Sequence, residues 1–534
     1  MSTCTIEAAQ LAQALADGQE LALIDVSEPG VFGEGHALLA VNLPFSRLEL
    51  DISTRVPHLA TRIVLIAPDN VIGERAAAAL RREGYTDVAY LRDGIHAWAA
   101  LGQPVFQGVN VPSKAFAEVV EQTFHTPEIT ASELDRLLRE KADVIVLDSR
   151  TVEEHRRFHV RDAISCPGSE LVHRFGDLVP DPSTLVVVSC AGRTRGVMGA
   201  QTLINAGVPN RVVALSGGTQ GWRLAGLPLV REPGQESSSP SEASRAAAHA
   251  RAQAIVSAFG VPDVTAQTVA QWLQEPDRTT YLFDVRTQQE FDAAHVNGAI
   301  WAQGVQLIQC LDQWAAVRGA RVVLIDDDGV RARVTAHWLR QLGWDTHALA
   351  PDQQSWRVLT GPVPRTPAWA DIDHLDAGQA ERWIQDGALL LDARSSASYR
   401  QAHPQGARWA NRSAGDVIQT EVQAARRIVV LAEDEAVARL LAQDLVEDAV
   451  ATGDIAILEG GFAAWRAAGL PVESTPASPP DDQRIDYLFW LHDRHDGNNE
   501  ASAAYLQWEI DLPAAIGYPS SAGFRLQIPG QTPP

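Results

Sequence analysis

Four short apolar runs in this chain each end in an aspartate, and the residues behind each aspartate keep the same register every time. The runs are "LALIDVS" with Asp25, "VIVLDSR" with Asp148, "YLFDVRT" with Asp284 and "LLLDARS" with Asp392. A histidine stands at the same offset behind each aspartate, at His36, His159, His295 and His403. Near the end of each copy comes a tryptophan (Trp98, Trp222, Trp356, Trp465), with Gly and Pro close behind it, as in "WRLAGLP" and "WRAAGLP". A register held four times makes the chain four copies of one unit of roughly 100 residues, an ordinary domain size.

Within each copy, short β-branched runs alternate with polar turns and Ala/Leu-rich amphipathic stretches. "RIVLIAPDN" precedes "GERAAAALRREG", and "RVVLIDDDG" precedes "RARVTAHWLRQLG". Continuous apolar strands followed by helices predict a parallel sheet covered on both faces. The expected architecture is α/β, with four tandem doubly wound domains and a C-terminal tail. The domains span residues 1–105, 127–231, 259–364 and 365–473. A helical linker at 106–126 and a Pro/Ser/Glu-rich linker at 232–258 separate the first three. Similar helices lead into the second and third copies, which reads as a duplicated two-domain unit divided at residues 231–247. The tail, 474–534, carries "YLFWLHDRHDG" and "AAYLQWEIDLP". It is apolar enough to be expected to dock on the domains.

Composition narrows the function. The net charge of −23 disfavours nucleic acid and anionic membranes, and no Lys/Arg stripe offsets it. No apolar run is long enough to span a bilayer. The first residues read as a helix of the first domain, not a signal peptide. The four cysteines, Cys4, Cys166, Cys190 and Cys310, form no CxxC pair. Neither a disulfide framework nor a zinc site is expected, and a reducing cytoplasm fits. The "HDRHD" cluster at 492–496 lacks a partner cluster, so no metal is expected there.

One cysteine is set apart. In "LVVVSCAGRTRG", Cys190 ends an apolar strand and opens a loop with two glycines and two arginines that runs into a helix. That loop lies at the carboxyl end of a sheet strand, where open α/β sheets bind ligands. Its N–H groups and the helix N-terminus can converge on an anion. Arg193 and Arg195 are expected to add positive charge and to lower the thiol pKa, making Cys190 a nucleophile. Cys4, Cys166 and Cys310 read as small buried hydrophobes. Asp148, Arg150, Glu154, His159 and the tryptophans read as fold-holding residues, because the aspartate and histidine recur in every copy.

The loop "CAGRTR", the segment "LDSRTVEEHRRFHVRDAISCPGSEL" and the segment "LSGGTQGW" resemble the rhodanese family of sulfurtransferases. The resemblance spans about residues 5–472 and is most specific in the second copy. It implies that Cys190 carries a persulfide and that Ala191, Gly192, Arg193, Thr194, Arg195 and Gly196 cradle an anion. Thiosulfate or a similar small anionic sulfur donor would load the cysteine, and cyanide or a thiol would accept the sulfur. No metal or organic cofactor is implied. A persulfide relay or sensor serving a protein acceptor, mercaptopyruvate as donor, and a Cys-dependent phosphatase stay open as alternatives, as does homo-oligomerisation. A phosphatase cradle has a loop one residue longer than this one.

At the equivalent position the other copies have Ala67, Asp326 and either Ala432, by strand end, or Asp434, by plain offset. None is a cysteine and the loop arginines read as lost. Those three copies are therefore expected to be catalytically inactive.

Overall fold

A computed structural model describes residues 5–447, 453–489, 497–517 and 522–529. Cys4 and the "HDRHD" cluster lie outside the described residues. Each copy contributes five parallel strands to a sheet in the order first, fifth, fourth, second, third, and in the second copy the strand Gln235–Glu236 adds a sixth beside the third. In the second copy the strands are Glu128–Ile129, Val144–Asp148, Ala163–Ser165, Leu185–Ser189 and Val212–Leu215. Val146, Leu147, Val186, Val187 and Val188 are buried in the two central strands. Helices cover both faces, so the runs are apolar throughout, not alternating.

The recurring aspartate ends the second strand of every sheet. In three copies it forms a buried ion pair with the arginine two residues later: Asp148–Arg150, Asp284–Arg286 and Asp392–Arg394. Each arginine also donates through Nη2 to a carbonyl eight residues on, at Phe158, Ala294 and Ala402. This ties the strand end to the short helix behind it. In the second copy burial alone would raise the Asp148 carboxyl. The charge of Arg150 and a hydrogen bond from His155 overcome that and hold it well below the usual carboxylate range. The first copy has Ser27 in place of the arginine, and there burial pushes Asp25 up to about 6.

The recurring histidines stack on an aromatic ring four residues earlier: Phe32–His36, His155–His159, Phe291–His295 and Tyr399–His403. Their Nδ1 atoms bond backbone carbonyls of Phe32, Val160, Phe291 and Tyr399. The tryptophan indoles are core groups. Trp222 and Trp465 donate to the carbonyls of Pro228 and Pro471, which explains the Trp-to-Pro spacing.

The described chain forms two compact units, and they do not match the two halves expected from the linker. One unit joins the first and fourth copies, Leu21–Gly108 with Pro364–Leu491; the other contains the second and third copies within Val109–Val363. The helix Glu242–Phe259 lies after the expected dividing linker, yet it packs on the second copy's helix Leu171–Leu178. In the first unit Arg412 is buried over the Phe45 ring between Glu49 and Asp444. In the second, Arg331 of the third copy reaches Glu170 of the second, and the Trp338 indole donates to Thr202. The pairing rests on buried charged groups from distant stretches of chain. A linker's composition carries no information about those partners.

The tail is shared between the units. Ile485 accepts from the Gly30 backbone and Arg484 donates to Ser396 in the first. The helix Asn499–Ile516 lies against the second copy in the second unit.

Removing one member of a fully buried ion pair leaves the other charge uncompensated. Arg150→Met should therefore destabilise the second copy by roughly 3–5 kcal/mol, and the matching Arg286→Met should do the same to the third. Denaturant unfolding of the full chain, followed by hydrogen exchange in each copy, checks this. An exposed control, Arg136→Met, should change stability by less than about 1 kcal/mol.

Candidate active site

The strand Leu185–Ser189 runs parallel to Val144–Asp148, with Ser189 opposite Asp148, so Cys190 is the first residue beyond the sheet. The loop curls back and enters the helix Thr194–Asn205. Its carbonyls point away from the sulfur because a second helix holds them. The N–H of Thr219 donates to Cys190 O at 2.8 Å, and that of Gln220 to Ala191 O at 3.1 Å. These donors open the helix Gly218–Leu224, in the "SGGTQGW" segment. Gly218 has φ +54°, and a Cβ there would stand 2.3 Å from Cys190 O. Only glycine permits that approach. The same device recurs at Gly94, against Ala67 O, and at Gly461, against Ala432 O.

With the carbonyls turned outward, loop N–H groups are free to face the sulfur. Gly196 packs so closely on the Cys190 sulfur that a Cβ there would lie 3.3 Å from Sγ, and its N–H draws the thiol pKa down. Ser149 braces the loop from below, donating to Ser189 O and Arg195 O.

Both loop arginines are paired with carboxylates. Arg193 makes a two-pronged bond to Glu118 at 2.8 and 3.0 Å and also reaches Glu128 at 3.2 Å. Glu118 comes from the helix Val111–Phe124, which precedes the second copy. Arg195 makes a two-pronged bond to Glu154 at 2.5 and 2.8 Å. Glu154 is also the third residue of a capping box with Thr151, so its helix and the loop are locked together. The expected pair of anion-binding arginines is thus a pair of buried ion pairs.

The thiol differs from expectation for the same reason. Cys190 is 2% exposed. Burial pushes its thiol up to about 11; Arg195 and the Gly196 N–H pull it down, while Glu509 and Asp148 push it up. Arg195 cannot overcome desolvation because its own charge is shared with Glu154. Cys166 and Cys310, also buried and free, are pushed up to about 12.

Two groups, one beside Asp148 and one on the loop itself, were not legible in the sequence. His155, on the short helix Val152–Arg157, bonds Asp148 at 3.1 Å and stacks on His159. Glu509, from the tail helix, accepts a hydrogen bond from Thr194 Oγ1 at 3.3 Å. No spacing or motif in the sequence links position 509 to position 194. Among the described residues no group of His, Cys, Asp and Glu is arranged to hold a metal ion.

Sheet register settles the positions in the other copies. Asp25 pairs with Ile66, Asp284 with Ile325 and Asp392 with Leu431. The next residues, Ala67, Asp326 and Ala432, are therefore the equivalents of Cys190, and Asp434 is not. In the third copy the arginine is not lost, contrary to the sequence reading. Arg331 stands where Arg195 does and pairs with Glu290 as Arg195 does with Glu154. What has changed is the nucleophile position. Asp326 turns into its own loop and accepts the N–H groups of Gly329 at 2.8 Å and Ala332 at 3.1 Å. The cradle is filled by an internal carboxylate.

Comparison with known proteins agrees with this geometry. The model of the rhodanese-like domain matches residues 7–101, 130–225, 265–357 and 376–468, well over half the chain. The crystal structure of a thiosulfate sulfurtransferase from Pseudomonas aeruginosa is 39% identical, with a TM-score of 0.91, over 98% of this chain and 100% of that one. A sulfurtransferase from Allochromatium vinosum is 31% identical over 100 residues, covering 19% of this chain and 92% of that protein. A helix-turn-helix type transcriptional regulator from Mycobacterium tuberculosis is 35% identical over 101 residues, covering 43% of its own length. The chain belongs to the rhodanese-like sulfurtransferase family, with four copies of the domain in one polypeptide.

Proposed function

We propose that the second copy moves sulfane sulfur from thiosulfate or a similar donor, through a persulfide on Cys190, to cyanide or a thiol. The observation that carries this reading is the position of Cys190: first residue beyond the sheet, with Gly196 packed against its sulfur and its own carbonyl held by the Thr219 N–H. Ala191 to Gly196 would bind the donor chiefly through N–H groups, since Arg193 and Arg195 are committed to carboxylates.

In the loading step Cys190 gives up its proton and its sulfur attacks the outer sulfur of the donor. A new S–S bond forms as the bond to the sulfite group breaks, and sulfite leaves with the electron pair. In the second step the acceptor attacks the terminal sulfur of the persulfide, and the pair returns to Cys190. This is double-displacement chemistry on a covalent intermediate. The near-complete burial of Cys190 favours small donors and acceptors over a folded partner reaching the sulfur. The chemistry needs a reduced thiol, which suits a reducing compartment. Among the described residues no helix is long and apolar enough to cross a membrane.

Intact mass before and after thiosulfate tests the assignment. The wild-type chain should gain one sulfur atom, and Cys190→Ser should gain none while folding normally. Retained loading in Cys190→Ser would overturn it. The thiol's raised pKa gives a second expectation. A group at about 11 is protonated at neutral pH, so its thiolate fraction rises about tenfold per pH unit up to that value. Single-turnover loading at saturating donor should climb in the same way from pH 7 to about 10. A plateau near pH 7 would show that the thiol loses its proton far more easily than its burial implies.

A further inference from the structure

Glu509 is the one acidic group that the tail brings to the catalytic loop among the described residues, and it is only half satisfied. The residue is 2% exposed. Its Oε1 accepts from the Tyr505 hydroxyl at 2.8 Å and from Thr194 at 3.3 Å. Its Oε2 is buried and has no hydrogen-bond partner among the described residues, and no ion pair is formed to this carboxylate there. Oε2 lies 3.0 Å from where a Cβ on Gly192 would stand, so it faces the middle of the loop, not bulk water. Gln220 Nε2 and the Tyr505 ring border the same point.

An unpaired carboxylate taken out of water is costly unless something pairs with it. The neighbouring cations are already engaged: the buried Lys114 ammonium donates to Val109 O and lies over the Tyr505 and Trp508 rings. Arg193 is held by Glu118 and Glu128, and Arg195 by Glu154. The charge of Glu509 is felt by its surroundings, since it pushes up both the Cys190 thiol and the Glu118 carboxyl. What the position lacks is a cation or a strong hydrogen-bond donor, and a bound substrate can supply one.

Accepting Cys190 as the sulfur carrier, we propose that Glu509 is a specificity-determining residue of the transfer site. It favours small aminothiols and their persulfides, whose ammonium group sits beside the sulfur, and disfavours dianionic donors such as thiosulfate. An ammonium offers three donors, enough to satisfy Oε2 while the sulfur meets Cys190. A dianion on the same loop faces uncompensated like charge in a poorly screened site. Thiosulfate can still load the cysteine, but more slowly than it would without the carboxylate.

The test uses the full chain with cysteamine, 2-mercaptoethanol and 2-mercaptoethanesulfonate as cationic, neutral and anionic acceptors. Cys190 is first loaded with sulfur from thiosulfate or inorganic polysulfide. Unloading is tracked by intact mass, with rates corrected for each thiol's ionisation. In the wild type, cysteamine should unload about tenfold faster than the sulfonate at low salt. In Glu509→Gln the ratio should fall to near one, and loading by thiosulfate should speed up severalfold. Glu509→Asp, which keeps the charge, should keep the preference. An unchanged ratio in Glu509→Gln, or a wild-type preference for the anionic thiol, overturns the proposal.

A second readout does not depend on sulfur transfer. Cys190 labelling by 2-aminoethyl methanethiosulfonate should outpace labelling by the 2-sulfonatoethyl reagent, and Glu509→Gln should narrow the gap. Equal narrowing in Glu509→Asp would point to lost packing and sink the electrostatic role. If neither wild type nor variant takes up sulfur from any donor, the persulfide reading itself fails and the proposal falls with it. If sulfur loads normally but charge has no effect, only the role of Glu509 fails.

Discussion

The N–H groups of Thr219 and Gln220 hold the carbonyls of Cys190 and Ala191, and the site depends on those two bonds. A loop of six residues cannot present both its donors and its acceptors to one point. Tying the carbonyls to a helix N-terminus turns the donors inward. The tie requires backbone-to-backbone contact, which requires glycine at 218 in a left-handed conformation. The Trp222 indole then anchors the far end of the same helix in the core. The glycine pair and the tryptophan therefore form one device that holds the loop curled.

The same device persists where no chemistry is expected. Gly94 and Gly461 approach Ala67 and Ala432 as Gly218 approaches Cys190. Retaining the frame while losing the nucleophile makes sense if the glycine, histidine and aspartate–arginine elements serve the fold. The third copy goes furthest. It keeps the arginine–glutamate lock, Arg331 with Glu290, but uses Asp326 to satisfy the N–H groups that would otherwise seek an anion. A buried loop of unsatisfied donors is costly, and an aspartate is the smallest side chain able to fill it.

Much of this was legible in the sequence because repeats and spacings are local. The strand ends at Asp25, Asp148, Asp284 and Asp392, the turn after each fourth strand and the Gly-Gly-x-x-x-Trp helix all come from patterns a few residues long. The arginines misled because charge in a sequence does not reveal its partner. Arg193 meets Glu118 and Glu128, far back along the chain, and Arg195 meets Glu154 on another helix. The expected low thiol pKa assumed free cations and some exposure to water, and the burial of Cys190 runs against it.

The sequence by itself determined four α/β units, one cysteine at the end of a sheet strand, the aspartate that ends the second strand of every unit, and the glycines that shape three of the four. These depend on backbone conformation and strand order, which near neighbours encode. Only the tertiary structure decided which copies pair, where the loop charges are spent, and that a tail helix brings Glu509 onto the loop. Those outcomes depend on side chains from 41 to 363 residues apart meeting in a buried environment, where desolvation and pairing set the energy of a charge, and no spacing along the chain records such a meeting.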